Sequence, residues 1–292
     1  MDVCVTRKLI AAVCTVLLTL AGIAASHESV GVWWWNGRQL DDASAYGVRL
    51  DFLRANHVTE IYFCAELSSS TDRLSAFVRT AAEKGMRVAW LAGDVSWIFP
   101  ENDGFERTLE SFIEYRKSAP RDAQFFALHL DVEPHQDAKL TDGRKWQLYA
   151  DFVVRATRMA HRAGVKIEWD IPFWLDDIRV EYGHDANVPL IDVIMKNSDG
   201  VALMSYRDTA QAMLDVSRTE IRKAASFPNC RVILGAETGE SSETEIVTYF
   251  EEGRAAMAKE LAIVQKRLAA ENVPAGYGIA IHHVGGWMSL KD

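Results

Sequence analysis

The chain alternates between short apolar runs and longer amphipathic segments. Eight apolar runs that end near glycine, proline or charged residues predict β-strands. They cover residues 30–35, 60–65, 87–92, 124–133, 165–171, 201–205, 231–236 and 278–282. Seven segments with apolar residues three and four positions apart predict helices. They cover residues 41–56, 71–84, 101–117, 143–163, 190–197, 210–225 and 243–271.

Strict alternation of strands and helices predicts a parallel sheet, and eight such units in this length favour a (β/α)8 barrel over a doubly wound sheet. The chain reaches Asp292 soon after the eighth strand, so we expect the last helix to be reduced or absent. The longest helix is predicted to place Ile246, Phe250 and Met257 on its inner face. Residues 26–292 are expected to form a single domain, since no proline- or serine-rich linker divides them.

The first 25 residues have the pattern of a secretory signal peptide. Arg7 and Lys8 precede an apolar run, and small residues follow it at positions 24–26. The run is short for a membrane span, so we expect cleavage near Ala25 and a secreted or periplasmic protein without a membrane partner. Only Cys64 and Cys230 then remain, and the sequence leaves open whether they pair.

The charge of the chain argues against a nucleic-acid partner. The formal net charge is −9. Removal of residues 1–25 takes away Arg7, Lys8 and Asp2, one net positive charge, and leaves −10. Nucleic-acid binding depends on clustered lysine and arginine side chains, which an acidic chain does not favour.

The fourth predicted strand carries the most unusual residues. It is apolar, yet His129, Asp131 and Glu133 occupy alternate positions and so share one side of the strand. Pro134 then ends the strand. The sequence allows a salt-bridged strand end or a catalytic carboxylate pair. The catalytic interpretation makes Glu133 a general acid and Asp131 its helper, with the pKa of Glu133 raised by its surroundings.

Acidic and aromatic residues also gather at the ends of the other strands. In a (β/α)8 barrel these ends form the active-site face. Indoles pack on the apolar faces of sugar rings and carboxylates bind sugar hydroxyls, so the pattern predicts a carbohydrate site. The candidate residues besides the strand-four pair are Trp35, Trp90, Glu168, Asp170, Tyr206, Asp208, Glu237 and Trp287. Glu168 and Asp170 are expected to bind substrate or to pair with Arg207.

Three landmarks resemble glycoside hydrolase family 18, the chitinase-like barrels. They are Leu130-Asp131-Val132-Glu133 on strand four, Leu203-Met204-Ser205-Tyr206 on strand six, and Trp287 after strand eight. The resemblance implies that Glu133 is the acid and that Asp131 orients the N-acetyl group of the substrate, which acts as the nucleophile. It also implies that Tyr206 supports the intermediate and that Trp287 forms the floor of a sugar subsite.

A second resemblance competes with the first. Val132-Glu133-Pro134 is similar to the Asn-Glu-Pro motif of the large retaining glycosidase clan, in which a glutamate at the end of strand seven is the nucleophile. Glu237 occupies that place. This resemblance implies a retaining pair of Glu133 and Glu237 about 5–5.5 Å apart.

Two further alternatives stay open. Phe126 and His129 stand where family 18 has two more acids, which favours a carbohydrate-binding barrel without catalysis. His129, Asp131 and Glu133 also suit a metal-dependent hydrolase, since imidazole and carboxylate ligands bind zinc-like ions. The glycosidase interpretation requires no cofactor.

Overall fold

The protein, seen here in a computed structural model, is described for residues 28–37, 40, 42–66, 69–137, 140–242 and 244–292. Eight parallel strands form a closed barrel with the neighbour order β1-β2-β3-β4-β5-β8-β9-β10. The barrel strands are β1 (Glu28–Trp34), β2 (Glu60–Cys64), β3 (Arg87–Ala92), β4 (Leu128–Asp131), β5 (Ile167–Pro172), β8 (Gly200–Met204), β9 (Arg231–Glu237) and β10 (Tyr277–His282). Strands β6 (Arg179–Tyr182) and β7 (Asp185–Pro189) form a separate antiparallel hairpin after β5.

Helices surround the barrel and alternate with its strands, which confirms the predicted (β/α)8 fold. They are α1 (Ala43–Ala55), α2 (Thr71–Glu83), α3 (Gly104–Ser118), α4 (Asp142–Arg162), α5 (Leu190–Lys196), α6 (Ala210–Val216), α7 (Arg218–Lys223), α8 (Arg254–Leu268) and α9 (Val284–Ser289). The helix after the last barrel strand, α9, has six residues, which confirms the prediction of a reduced last helix.

The strands separate two apolar layers because successive side chains point to opposite faces. The larger layer lies between strands and helices, where Trp34 packs against Phe63 and Phe77. The smaller layer fills the barrel and includes Trp33 and Tyr62. The barrel is therefore a packed core, and the space for a ligand lies at its mouth.

Strand β4 is shorter than the predicted segment 124–133. Only Leu128–Asp131 has strand geometry, although Phe126 already donates its N–H to the carbonyl of Val88 at 2.9 Å. Pro134 lacks an N–H and starts a 3-10 turn that extends to Gln136, so Glu133 lies just beyond the strand.

The prediction of one long helix over 243–271 was wrong at its start. Helix α8 begins at Arg254, directly after Gly253 with φ +86°, and residue 243 lies outside the described residues. The N–H of Tyr249 bonds to the carbonyl of Glu237 at 3.0 Å, so this segment is tied to the end of β9 rather than wound into a helix. Ile246 and Phe250 are consequently 56% and 42% exposed.

The predicted signal peptide and its cleavage site lie outside the described residues. Within the part of the chain that the structure describes, no helix has the length and hydrophobicity needed to cross a membrane. Cys64 and Cys230 are both free thiols.

Candidate active site

A cavity of about 210 Å³ lies at the carboxyl ends of the barrel strands. Its walls come from five strands and from the residues that follow them, as expected for the active-site face of this fold. The lining residues are Trp33, Trp35, Asp131, Glu133, Asp170, Met204, Tyr206 and His282. A second cavity of about 350 Å³ shares Met204 and Tyr206 and continues toward Glu237, Arg207 and Glu240.

Asp131 and Glu133 lie within hydrogen-bond reach of each other at the wall of the first cavity. Two carboxyl groups within hydrogen-bond reach hold a proton between them, because a bond between two carboxylates has no donor. Burial raises the pKa of Asp131 to about 8, with further contributions from the charges of Asp170 and Glu133. The pair therefore retains one proton up to neutral pH.

The raised pKa falls on the opposite member of the pair from the one predicted. Burial alone would raise the pKa of Glu133, but hydrogen bonds from His135 and Gln136 outweigh it and lower that pKa. The Nε2 atom of His135 lies 3.2 Å from Glu133 Oε2, and Gln136 donates to the same oxygen. Both donors belong to the 3-10 turn that Pro134 starts. In the free protein Asp131 thus carries the proton and Glu133 is a carboxylate.

Asp170 lies beside Asp131, because it is the register partner of Asp131 on the neighbouring strand β5. Its Oδ2 accepts the indole N–H of Trp33 at 2.9 Å, and its Oδ1 lies 2.7 Å from His129 Nε2. Nδ1 of His129 faces Glu168 Oε2 at 3.3 Å. Burial alone would lower the pKa of His129, but Asp170 and Glu168 raise it to about 9. His129 is therefore a buried cation at neutral pH.

The rim of the cavity carries a second chain of hydrogen bonds. Trp35 donates its indole N–H to His282 Nε2 at 2.8 Å, and His282 Nδ1 lies 2.6 Å from Glu237 Oε2. The other oxygen of Glu237 accepts the N–H groups of Thr238 and Gly239 at 2.7 and 2.6 Å. Burial opposes ionisation of Glu237, but these donors prevail and lower its pKa. Glu237 is held as a carboxylate.

Tyr206 connects the two cavities and faces all these acids. Its ring lies 5.9 Å from that of His282. Burial and the charge of Glu237 raise the pKa of the phenol well above its ordinary value, so Tyr206 stays neutral and can donate its proton in a hydrogen bond. Asp208 is partly buried two residues further on, and its N–H bonds to the carbonyl of Ile246 at 3.0 Å.

Four of the predicted site residues line neither cavity: Asp208, Trp90, Trp287 and Glu168. Trp90 is buried against Phe125, between the barrel and its helices. Trp287 is buried in α9 with its ring 5.2 Å from that of Phe52 in α1. Glu168 lies deep in the barrel, where Arg231 donates to its two oxygens at 2.7 and 2.6 Å.

The expected partner of the strand-five acids was wrong, since Arg231 and not Arg207 pairs with Glu168. The guanidinium of Arg207 lies 4.9 Å over the ring of Phe173 and donates to the carbonyl of Tyr206. The alternation of side chains along β9 predicts that Arg231, the first residue of the strand, points into the barrel. It does not predict that Arg231 reaches Glu168 on β5.

Sequence reasoning did not select Trp33, His129, Met204 and His282 as residues of a sugar site. The alternation of β1 offered a signal for Trp33, because it places Trp33 and Trp35 on the same face. Among the residues that the structure describes, no group of three or more His, Cys, Asp or Glu side chains is arranged to hold a metal ion. Both nitrogens of His129 are taken by carboxylates.

No family model matches the sequence, and no curated protein sequence matches it either. Solved structures do share its fold. The spore cortex-lytic enzyme SleL of Bacillus megaterium QM B1551 superposes with a TM-score of 0.54 and 11% identity, over 89% of this chain and 72% of that one. A GH18 chitinase from Pseudoalteromonas aurantia gives a TM-score of 0.50 and 10% identity, over 88% and 94% of the two chains.

An active-site mutant of the Rhizomucor miehei β-1,3-glucanosyltransferase also superposes, with a TM-score of 0.51 and 12% identity over 88% of this chain and 87% of that one. Identities of this size show a common fold. The chain thus shares the (β/α)8 fold of these proteins, one of which is a chitinase of the family that its motifs resemble.

Proposed function

We propose that the protein is a glycoside hydrolase that cleaves an oligosaccharide or polysaccharide at the mouth of the barrel. The observation that carries the proposal is the position of Asp131 and Glu133 together at the wall of a cavity lined by two indoles, with the pKa of Asp131 raised to about 8 by burial and neighbouring charges. Glycosidic cleavage needs a carboxylic acid beside the leaving oxygen, and this pair supplies it.

The proton has to move within the pair before it reaches the substrate. A sugar in the cavity displaces water from Glu133, which raises the pKa of its carboxylate, and the proton passes from Asp131 along the existing hydrogen bond. Glu133 then donates it to the glycosidic oxygen as the bond to the anomeric carbon breaks. Asp131 is left as a carboxylate and stabilises the positive charge that develops on the sugar. The oxygen of a water molecule then bonds to the anomeric carbon, and one proton of this water returns to the Asp131–Glu133 pair.

The aromatic residues of the cavity suit the substrate side of this reaction. Trp35 is 37% exposed at the mouth, and Trp33 and Tyr206 lie deeper. We assign sugar binding to Trp35 and Tyr206. Asp170 lines the cavity with both oxygens already bonded to Trp33 and His129, and Asp208 lines neither cavity. Trp90, Trp287 and Glu168 support the barrel and its helices from their buried positions.

Glu237 suits a positioning role better than a nucleophilic one. Its oxygens accept two backbone N–H groups and face His282, so attack on a sugar would have to break or weaken these contacts. Through His282 it orients the indole of Trp35 at the mouth. We infer that Glu237 holds this aromatic wall in place.

The test is hydrolysis of labelled chito-, gluco- and galacto-oligosaccharides by the wild type and by Glu133→Gln. Loss of a general acid is expected to lower kcat by about 10²–10⁴-fold. Glu101→Gln is the matched control, because Glu101 is an exposed glutamate beyond β3 that lines neither cavity. It should keep wild-type activity.

Two results would contradict this assignment. Equal rates for the wild type and Glu133→Gln would exclude Glu133 as the acid, and loss of activity in EDTA would support metal-dependent hydrolysis instead.

A carbohydrate-binding barrel without catalysis is the second candidate. The hydrogen bonds from His135 and Gln136 favour it, because they keep Glu133 ionised in the free protein. Binding of the same oligosaccharides in calorimetry, with no product after long incubation, would establish this function.

We also propose that residues 1–25 are removed on secretion and that residues 26–292 form the mature single-domain protein. The basic start, the apolar run and the small residues near Ala25 support this proposal. Sequencing the amino terminus of the protein recovered from the medium or the periplasm tests it. A protein that keeps residues 1–25 in the membrane fraction would contradict it.

A further inference from the structure

The buried ion pair of Asp170 and His129 adjoins the proposed catalytic carboxylates, with Asp170 beside Asp131 and His129 one layer below. We propose that Asp170 and His129 are positioning residues that together set how firmly the Asp131–Glu133 pair holds its proton, Asp170 strengthening this hold and His129 weakening it, and that Asp170 fixes the indole of Trp33 in the cavity floor. The inference rests on the proposed function and extends it to residues that transfer no proton to the substrate.

The strand register creates the arrangement. Asp131 pairs with Asp170, and His129 pairs with Glu168, across the parallel strands β4 and β5. All four side chains therefore point into the barrel, with the second couple one layer below the first. Asp170 receives Trp33 on one oxygen at 2.9 Å and His129 on the other at 2.7 Å, which fixes its carboxylate plane.

His129 is held from below and from the side. Its second nitrogen faces Glu168 at 3.3 Å, and Arg231 fixes Glu168 through two hydrogen bonds of 2.7 and 2.6 Å. The ring of Tyr62 stacks on the imidazole at a centroid distance of 3.9 Å and an angle of 12°. A ring held on both nitrogens and on one face cannot turn away from Asp170.

The charges around Asp131 show why this ion pair controls the proton. The carboxylates of Asp170 and Glu133 oppose ionisation of Asp131, and the cation of His129 favours it. Other titratable groups near Asp131 are Cys64 on β2, Tyr149 on α4 and Tyr206 after β8, whose pKa values are raised so that they stay neutral, and His282 on β10, which lines the same cavity. Asp170 and His129 therefore act on this proton with opposite signs.

Two substitutions are expected to move the pH profile in opposite directions. Asp170→Asn removes a negative charge, so the alkaline limb of kcat/KM should move to lower pH by about one unit or more. His129→Gln removes the cation next to the carboxyl groups, so the pKa of Asp131 should rise and the alkaline limb should move to higher pH. Damage to packing alone would lower kcat in both variants without opposite shifts.

Tyr62→Phe is the matched control. It lies in the same layer and keeps the aromatic ring over His129, but it changes no charge. The alkaline limb of this variant should coincide with that of the wild type. Limbs that move in the same direction for Asp170→Asn and His129→Gln would overturn the proposal.

A measurement without substrate separates this inference from the proposed function. The carbonyl stretch of protonated carboxyl groups can be followed by infrared spectroscopy of the free protein between pH 5 and 10. Glu220 is a second buried carboxyl, with its pKa raised by burial to about 7, so the measurement is made on Glu220→Gln. In this protein a buried protonated carboxyl should disappear near pH 8, and the further change Asp131→Asn should abolish the signal. A Glu220→Gln protein without a protonated carboxyl at neutral pH would refute the inference, even if Asp170→Asn fails to fold. A protein that shows the titration but hydrolyses no sugar would refute only the proposed function.

Discussion

At the scale of single residues, one carboxyl group stands apart from the site. Glu220 in α7 is fully buried, and neither of its oxygens has a hydrogen-bond partner among the described residues. Burial raises its pKa to about 7. The folded protein thus binds a proton at pH 5–7 that the unfolded chain releases, so this group makes the protein less stable as pH rises from about 4.5 to 7.

Glu220→Gln should remove this pH dependence. As pH rises from 5 to 8, the free energy of unfolding of the variant should increase relative to that of the wild type by on the order of 3 kcal/mol. Urea unfolding at the two pH values measures the difference. Glu110→Gln, at an exposed position of α3, is the control and should follow the wild type. The expectation would be contradicted if the difference in free energy of unfolding between the wild type and Glu220→Gln were the same at pH 5 and pH 8.

The sequence identified Asp131 and Glu133 because carboxylates at the end of an apolar strand are conspicuous. It could not assign the proton between them. The turn that Pro134 starts brings His135 and Gln136 back onto Glu133, and this return is a matter of backbone geometry rather than of spacing. Trp90 and Trp287 were selected by their position near strand ends, but an indole next to a strand end packs outward as readily as inward.

At the scale of elements, the connection after β3 fixes the position of strand β4, which carries Asp131. A Cβ atom built on Gly93 would lie 1.6 Å from the backbone oxygen of Asp131, so only glycine allows the two segments to approach this closely. The position of Asp131 therefore depends on a residue on the neighbouring strand connection.

Gly93→Ala is expected to displace Asp131. The rate of hydrolysis of the oligosaccharide that the wild type cleaves should fall by about 10²-fold, since a shift of a catalytic group by about 1 Å has effects of this size. Gly47→Ala is the matched control. A Cβ at Gly47 meets nothing within 4 Å in helix α1, so this variant should keep activity and gain up to about 1 kcal/mol in stability. Full activity in Gly93→Ala would show that the approach is not required.

Periodicity located the elements well where packing follows from local pattern. The bounds of β3 agree at both ends, and α2 differs by one residue at its end. It failed where a long-range contact overrides the pattern. The segment before Gly253 is bound to the end of β9 by such a contact. The β6–β7 hairpin is a local pairing instead, and sequence reasoning did not predict its two short strands.

At the scale of the whole molecule, the barrel interior contains a line of alternating charges. It continues from Asp170, His129 and Glu168 through Arg231 to Glu60, which Arg231 reaches at 2.7 Å. These residues belong to β5, β4, β9 and β2. The ionic line therefore joins strands from opposite sides of the barrel, in addition to their hydrogen-bonded ladders.

Arg231→Met should destabilise the protein by about 3 kcal/mol, because it removes the shared cation of two buried carboxylates and leaves Glu168 only His129 and Glu60 only Arg87 as charged partners. The control is Arg79→Met, which removes an exposed ion pair with Asp122 at 3.0 Å. It should cost about 1 kcal/mol or less. Thermal and urea unfolding of both variants at neutral pH give the comparison. Equal costs would mean that the buried line adds nothing to the barrel beyond what a surface pair adds.

The contact between Trp35 and His282 also gives the cavity an optical property. The indole of Trp35 is partly exposed to solvent, while its N–H is already bound to the imidazole. A sugar ring that covers this face would remove water from the indole without breaking that bond. Its emission should then shift to shorter wavelength, so occupation of the mouth can be followed by fluorescence before any substrate has been identified through its products.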